Sequence, residues 1–313
     1  NTTIFEAAKA SGILLEHSCL TARCRSCVVK IKEGSTKDKT DDLVLTAQEK
    51  SANFTLSCNA YPTSDLSLDV EDLSGLAWYE KKIVPAKIQT IEYLTDDVIR
   101  VLLRMPPTAN FKYNSGQYVN ISKGDLKRSY SVANAFQENS SLEFYIKKYE
   151  QGLMSHYWFT QAKENDLLRV EGPLGSFFLR ESPKKNIVLL ATGTGIAPVK
   201  AILEQVKANE LLYADKTFWL FFGARTQQDI FWEPTSIPLK KLHFTKVLSR
   251  ETTIFTGFKG YVQNAVLEAS IDLSDAQVYA CGSNDMILAA KELFIKHQLS
   301  ENNFFSDAFV ATN

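Results

Sequence analysis

The order of apolar and polar positions divides the chain into three zones of different period. In the first, Thr3 followed by Glu6 makes a capping box, so a short helix is expected through Ala10, with Gly12 as its stop. Leu66-Ser67-Leu68-Asp69-Val70 alternates with period two, as a half-buried strand does. Residues 71–82 hold no period and read as a linker. The second zone is strand-rich: Ile88, then Val98, Ile99, Val101 and Leu103, fall in runs separated by the turn Thr95-Asp96-Asp97. Residues 116–121 and 142–146 add further strands, and short strands with turns between them predict a small antiparallel barrel.

The third zone changes character. A continuous apolar run at 187–191 leads into a glycine-rich turn, after which Val199, Ile202, Leu203 and Val206 repeat at helical spacing. Residues 217–222 and 277–280 have the look of buried strands, and Met286, Ala290, Leu293 and Phe294 repeat as a helix. Strand, turn and helix in alternation predict a parallel α/β sheet. The expected domains are 1–77, 78–182 and 183–313.

Composition narrows the classes. Apolar residues are 45% and charged residues 23% of 313, the balance of an ordinary globular protein. With 35 basic against 36 acidic side chains, neither nucleic acid nor a membrane surface is an expected partner. No stretch reaches the ~20 apolar residues of a membrane helix. No secretory signal opens the chain, and its start at Asn1 rather than Met predicts that residues precede it. Four of the five cysteines fall in the first 58 residues. In a cytoplasmic protein, as expected here, such clustering favours metal ligands or catalytic groups over disulfides.

Cys19, Cys24 and Cys27 have the spacing C-x4-C-x2-C, with Cys58 downstream, the plant-type [2Fe–2S] pattern. Three thiolates on one loop fold over the cluster and the fourth arrives from a distant strand. A zinc site is the alternative, but structural zinc usually takes paired C-x2-4-C knuckles, and Cys58 has no partner knuckle. Inert buried cysteines are a second alternative. The region resembles plant-type ferredoxin domains, carried by Ile13-Leu14-Leu15-Glu16-His17-Ser18-Cys19 before the first ligand and Ser64-Asp65-Leu66 after the last. That resemblance implies a β-grasp-like fold. It departs at Leu20-Thr21-Ala22-Arg23, where the family usually places a glycine. Arg23 and Arg25 would set positive charge near an anionic cluster, or are plain surface charges.

Arg128-Ser129-Tyr130-Ser131 follows the strand at 116–121; alone it would read as an ordinary strand edge. Gly152-Leu153-Met154-Ser155 lies downstream. Arg128 can pair with a pyrophosphate through its planar fork, and Tyr130 can stack on a flat ring. Gly152 lets backbone approach a phosphate, with Ser155 and helix-terminal N–H groups as donors. With Gly172-Pro173-Leu174-Gly175, these strings resemble the ferredoxin–NADP⁺ reductase superfamily. The resemblance implies FAD, with Arg128 on its pyrophosphate, Tyr130 facing the flavin and Ser131 near flavin N5.

Gly193-Thr194-Gly195-Ile196-Ala197-Pro198 joins the apolar strand to a helix and exposes N–H groups suited to a pyrophosphate. G-T-G-I-A-P is also a signature of the same superfamily. Cys281, before Gly282, would alone be a small core hydrophobe. The resemblance instead places Cys281 beside the nicotinamide, Asp307 near the reacting centre and Phe309 against the flavin, although the chain runs on to Asn313. Ser249, Arg250, Lys259 and Tyr261 match the residues that grip a 2′-phosphate in plant-type members. Lys259-Gly260-Tyr261-Val262 and the stretch from Gly223 through Arg225 to Asp229 match NADH-using relatives, and the balance favours NADH over NADPH.

Together these features imply an electron-transfer reductase that draws on NAD(P)H through FAD and a [2Fe–2S] cluster. Residues 105–109, 127–135, 278–283 and 304–310 resemble the CDP-6-deoxy-3,4-glucoseen reductases of deoxysugar biosynthesis. That implies a partner dehydrase acting on a CDP-linked 4-keto-6-deoxyhexose. A hydroxylase or dioxygenase component is the alternative partner. A redox-sensing module without turnover is the alternative of another class.

Overall fold

Thr3 caps the first helix, α1 (Ile4–Ala10), through reciprocal bonds: Glu6 N donates to Thr3 Oγ1 (3.3 Å) and Thr3 N to Glu6 Oε2 (2.9 Å). The computed structural model describes residues 2–41, 44–76, 78–138 and 141–309. Asn1, Ala77, Val310 and Asn313, which bound the expected domains or matched stretches, lie outside them. The chain divides into two compact units, one of Asn1–Trp78 with Asp307–Val310, the other chiefly Tyr79–Ser306.

In the first unit β1 (Val28–Glu33) is the centre of a three-stranded antiparallel sheet. A short pair, β2 (Thr36–Asp38) with β4 (Ala60–Pro62), stands apart, and β3 (Phe54–Leu56) and β5 (Ser67–Asp69) flank β1. A second capping box, Thr46 with Glu49, starts α2 (Ala47–Ser51). Ile4 and Phe5 of α1 pack with Leu15, Leu56 and Ala60, and Cys27 and Cys58 belong to that same core. The expected linker is partly structured: Leu73 is 1% exposed, its N–H bonds Leu14 O at 2.8 Å, and Trp78 Nε1 bonds Leu73 O at 2.6 Å. One deeply buried leucine among polar neighbours leaves no period to read, which is why 71–82 resembles a linker in sequence.

The second unit begins with a six-stranded antiparallel sheet. Its strands are β6 (Lys82–Tyr93), β7 (Val98–Arg104), β8 (Tyr118–Lys123), β9 (Leu126–Ser131), β10 (Ser141–Lys147) and β11 (Leu167–Leu174), with α3 (Leu153–Thr160) between the last two. The order is β10-β7-β6-β11-β8-β9. Beyond β9 the chain turns back to β10: Ala133 N donates to Glu143 O, and Glu143 N donates to Asn134 Oδ1, both at 2.8 Å. These bonds join the two ends of the sheet, so the barrel is closed by a side chain as much as by backbone. Strand β6 alternates, with Val84, Ala86 and the expected strand residue Ile88 inside. Strand β10 is buried on both faces: Leu142, Phe144 and Ile146 enter the barrel core, while Glu143 and Tyr145 face outward and are also covered.

A parallel sheet follows, in the order β15-β14-β13-β12-β16-β17. It comprises β12 (Asn186–Thr192), β13 (Thr217–Ala224), β14 (Leu242–Leu248), β15 (Phe258–Lys259), β16 (Ala276–Gly282) and β17 (Phe304–Ala308). Helices α4 (Ile196–Ala208), α5 (Val262–Glu268) and α6 (Asn284–Lys296) connect them. The chain runs outward from β12 to β15 and then returns to β12's other side at β16. Their shared C-terminal edge is therefore a topological switch point, where open α/β sheets hold ligands.

At that edge the backbones meet closely. A Cβ on Gly195 would lie 2.3 Å from Cys281 O, and one on Gly282, at φ +146°, would lie 2.0 Å from Thr192 Oγ1. The first contact is with backbone, and the φ of Gly282 lies where L side chains are strained, so glycine is required at each. Gly195→Ala is expected to destabilise the fold by about 1–3 kcal/mol through this overlap and to abolish NADH-dependent ferricyanide reduction. Chemical denaturation and a steady-state assay check both.

Candidate functional site

The cysteine loop is curled by backbone in the left-handed region: Leu20, Ala22 and Arg25 have φ of 53°, 58° and 64°. Ala22 thus adopts, with a side chain, the conformation for which the ferredoxin pattern has glycine, at a cost of roughly 1 kcal/mol. The curl turns N–H groups toward sulfur: Cys19 N lies 3.2 Å from Cys24 Sγ and Thr21 N lies 3.4 Å from Cys19 Sγ. Arg25 bonds Glu49 of α2 and Val44 O, so it ties the loop down instead of facing a cluster as a free charge. Arg23 remains exposed.

The four thiols form two pairs. Cys27 Sγ is 3.1 Å from Cys58 Sγ, and Cys24 hydrogen-bonds Cys19. The Cys24 bond pulls the Cys19 thiol down to about 5 and pushes Cys24 up; the Cys27 bond likewise lowers Cys58 while Cys27 rises. The thiolate is the form that ligates metal, and one sulfur of each pair is shifted toward it. Among the described residues no three His, Cys, Asp or Glu converge on one single-ion position. Two thiols at each of two positions is the donor set of a two-iron cluster. Cys19, Cys24, Cys27 and Cys58 therefore fit a [2Fe–2S] group, which supplies one-electron transfer when bound.

In the second unit the two halves of the flavin motif are assembled by one side chain. Arg128 and Tyr130 share a face of β9, and Trp158 Nε1 on α3 donates to Tyr130 Oη at 2.9 Å. The Tyr130 ring stands edge-on to Trp158 (6.1 Å between centroids) and to Phe144 (6.4 Å). Burial raises the Tyr130 hydroxyl above its usual range, so it is neutral. Gly152 is the N-cap of α3, without a side-chain bond, and Leu153 and Met154 open the helix. Ser155 Oγ accepts from Tyr149 N at 2.7 Å and keeps its own proton to donate. Ser129 Oγ donates to Asn120 Oδ1 at 2.7 Å, and Ser131, 7% exposed, ends the strand. An arginine fork, a fixed aromatic and a glycine-led helix start on one barrel make a cradle that FAD fits.

The turn Gly193-Thr194-Gly195 forms one 3-10 turn and runs directly into α4, with Pro198 in its first turn. Cys281, fully buried, and Gly282 end β16 beside it. Farther along the same edge, backbone bonds gather the other expected contacts. Arg250 N donates to Arg225 O (2.8 Å), Ser249 N to Ala224 O (3.1 Å) and Gly260 N to Leu248 O (3.0 Å). Arg225, Arg250, Lys259 and Tyr261 are all exposed there. Glu251 organises this corner: its carboxylate accepts from the backbone of Thr253, Gln227 and Thr252, bonds that hold it down to about 2.

Ser131 and Cys281 thus end strands of the second unit. Asp307 is grouped with the first, fully buried, where Ser18 Oγ donates to its Oδ1 at 2.8 Å and burial raises it to about 6. Phe309 follows the end of β17 and is half-buried. Trp158, Asn134 and Glu251 carry no local signature in the sequence. Each acts through a partner distant in the chain or through backbone, which spacing does not reveal.

Three family models match the chain in order: the 2Fe-2S iron–sulfur cluster binding domain over residues 1–63, the oxidoreductase FAD-binding domain over 85–179 and the oxidoreductase NAD-binding domain over 189–292. The CDP-6-deoxy-L-threo-D-glycero-4-hexulose-3-dehydrase reductase of Yersinia pestis is 39% identical over 310 residues, covering 99% of this chain and 93% of that protein. The propane 2-monooxygenase reductase component of a Gordonia strain is 30% identical, covering 99% and 92%. Among solved structures, a cytochrome P450 reductase of Amycolatopsis superposes with a TM-score of 0.76 at 24% identity, covering 98% of this chain and 94% of that one, which is a likeness of fold.

Trp158→Phe is expected to retain the ring packing but remove the donor to Tyr130. The loss of about 1 kcal/mol would weaken FAD binding roughly fivefold, measurable by titrating apoprotein with FAD.

Proposed function

This chain belongs to the ferredoxin–NADP⁺ reductase superfamily, in the branch with an N-terminal [2Fe–2S] domain, and on that premise we propose that it delivers electrons to a dehydrase acting on a CDP-linked 4-keto-6-deoxyhexose. The observation that carries the acceptor is the identity of 39% to the Yersinia dehydrase reductase across nearly the whole chain. The chain is an NAD(P)H-dependent oxidoreductase; FAD held at Arg128 and Gly152 would supply two-electron chemistry, and a [2Fe–2S] cluster held by Cys19, Cys24, Cys27 and Cys58 would supply one-electron transfer. The five cysteines are unbridged, which suits a reducing compartment such as the cytoplasm. No helix among the described residues is long and apolar enough to cross a membrane.

The chain's own residues bind and orient. Arg128 holds the FAD pyrophosphate with the N-terminus of α3 at Gly152, Tyr130 flanks the flavin, and Ser131 donates near N5. Gly193, Thr194 and Gly195 with Pro198 present the start of α4 to the nicotinamide pyrophosphate, and Cys281 with Gly282 lines the nicotinamide place. Asp307 and Phe309 take their roles near the nicotinamide and the flavin from the family resemblance alone. The domain limits 77/78 and 182/183 separate the three functions. The turn Lys259-Gly260-Tyr261 supports NADH as the preferred donor. The gathering of Arg225, Arg250 and Lys259 around Ser249 supports a second reading, in which a 2′-phosphate is gripped and NADPH is used.

The 30% identity to a monooxygenase reductase keeps an oxygenase component as the alternative acceptor. Reconstitution with the purified dehydrase and its CDP-sugar decides: NADH-driven deoxygenation is expected, and none in the presence of a competent dehydrase overturns the acceptor. Steady NADH oxidation with ferricyanide distinguishes a reductase from a sensor that binds without turnover. Cys58→Ser is expected to abolish cytochrome c reduction through the cluster while ferricyanide reduction persists; equal loss of both contradicts the ligand assignment. Arg250→Ala is expected to weaken use of NADPH much more than of NADH, and an unchanged ratio of their specificity constants removes Arg250 from a phosphate site.

A further inference from the structure

Lys200 lies one turn into α4 and is 6% exposed. A buried ammonium near the positive end of a helix is unfavourable twice over, by desolvation and by the helix dipole. Each of its three donors is matched: to Glu143 Oε2 at 3.0 Å, Glu204 Oε1 at 2.6 Å and Ala133 O at 2.9 Å. Glu204 Oε2 in turn accepts from Ala135 N at 2.9 Å, and Glu143 Oε1 accepts from Arg100 Nε at 2.9 Å. The backbone groups so engaged, Ala133 O and Ala135 N, flank Asn134, whose side chain joins the ends of the flavin barrel. They come two and four residues after Ser131. Helix α4 therefore completes the seam of the barrel and holds the chain that leaves the Arg128–Ser131 strand.

We propose that Lys200, with Glu204, is a positioning residue for hydride transfer: it registers the nucleotide turn at the start of α4 against the flavin strand β9. The inference rests on assigning Arg128–Ser131 to the flavin and Gly193–Pro198 to the nucleotide. Donor and acceptor rings on separate substructures react only if those substructures are held to a fraction of an ångström. The link from the α4 turn through Lys200 to Ala133 is a buried polar connection between them. A polar cavity of about 440 Å³ borders Lys200, Glu143 and Glu204. It gives water access to the charges that a substitution would leave, so variants here are expected to fold.

The test is anaerobic stopped-flow reduction of the FAD-loaded, full-length Lys200→Met protein by NADH. FAD stoichiometry and the NADH dissociation constant are expected to stay within about twofold of the parent, while the limiting rate of flavin bleaching falls about tenfold or more. The long-wavelength charge-transfer absorbance that marks nicotinamide stacked on flavin is expected to weaken in parallel, and Lys200→Arg to recover most of both. A limiting rate within about twofold of the parent overturns the proposal. If Lys200→Met loses FAD, Glu204→Gln decides. A fall of about threefold with FAD retained supports the link, and an unchanged rate overturns it. Arg128→Ala separates the underlying assignment: undiminished FAD affinity in that variant overturns the flavin reading itself, whatever Lys200 does.

Discussion

Everything at the nucleotide edge depends on two backbones approaching where their side chains have been dispensed with. The turn after β12 lies against the carbonyl of Cys281, and the end of β16 lies against the Thr192 hydroxyl, with no space for a methyl group at Gly195 or Gly282. Because the strands pair in register up to Ala191 and Cys281, this contact fixes where the helix N-terminus points and where the thiol ends up. A parallel sheet supplies the switch point, but two missing Cβ atoms set its dimensions.

The iron–sulfur loop solves a different problem with a different currency. Its N–H groups must turn inward toward sulfur, which requires left-handed backbone at several positions, and here Leu20 and Ala22 supply it despite their side chains. Anchoring comes from the flanks: Arg25 is tied to α2, and His17 lies against Phe5 (4.8 Å) and Trp78 (5.8 Å). Local strain is held in place by packing that costs nothing at the loop itself. The same packing explains why Cys27 and Cys58 lie in the hydrophobic core of that unit.

Much of this was legible in the chain. The capping box at Thr3 and the apolar run at 187–191 before a glycine-rich turn report local physics, and local physics is what spacing encodes. The C-x4-C-x2-C pattern likewise singled out candidate ligands, because three of them share one loop. What escaped depended on distant partners. Between its polar ends strand β10 reads as apolar apart from Glu143, and nothing nearby says that Lys200 awaits that carboxylate. Trp158 is one aromatic among several on α3 until Tyr130 is seen beneath it. Leu73, in a stretch with no period, is buried because Leu14 meets it from the other end of the unit.

The burial of β10 on both faces has a consequence for how such proteins can be taken apart. A strand whose outward side chains are Glu143 and Tyr145, one paired with Lys200 of α4 and the other against Phe231 at 5.3 Å, has no face prepared for water. A barrel excised at residue 182 would present a carboxylate without its ammonium, an aromatic without its neighbour, and two backbone groups of the seam without partners. Flavin barrel and nucleotide sheet are therefore one cooperative body. Recombination that exchanges modules among such reductases has no natural joint at the border between the flavin and nucleotide halves.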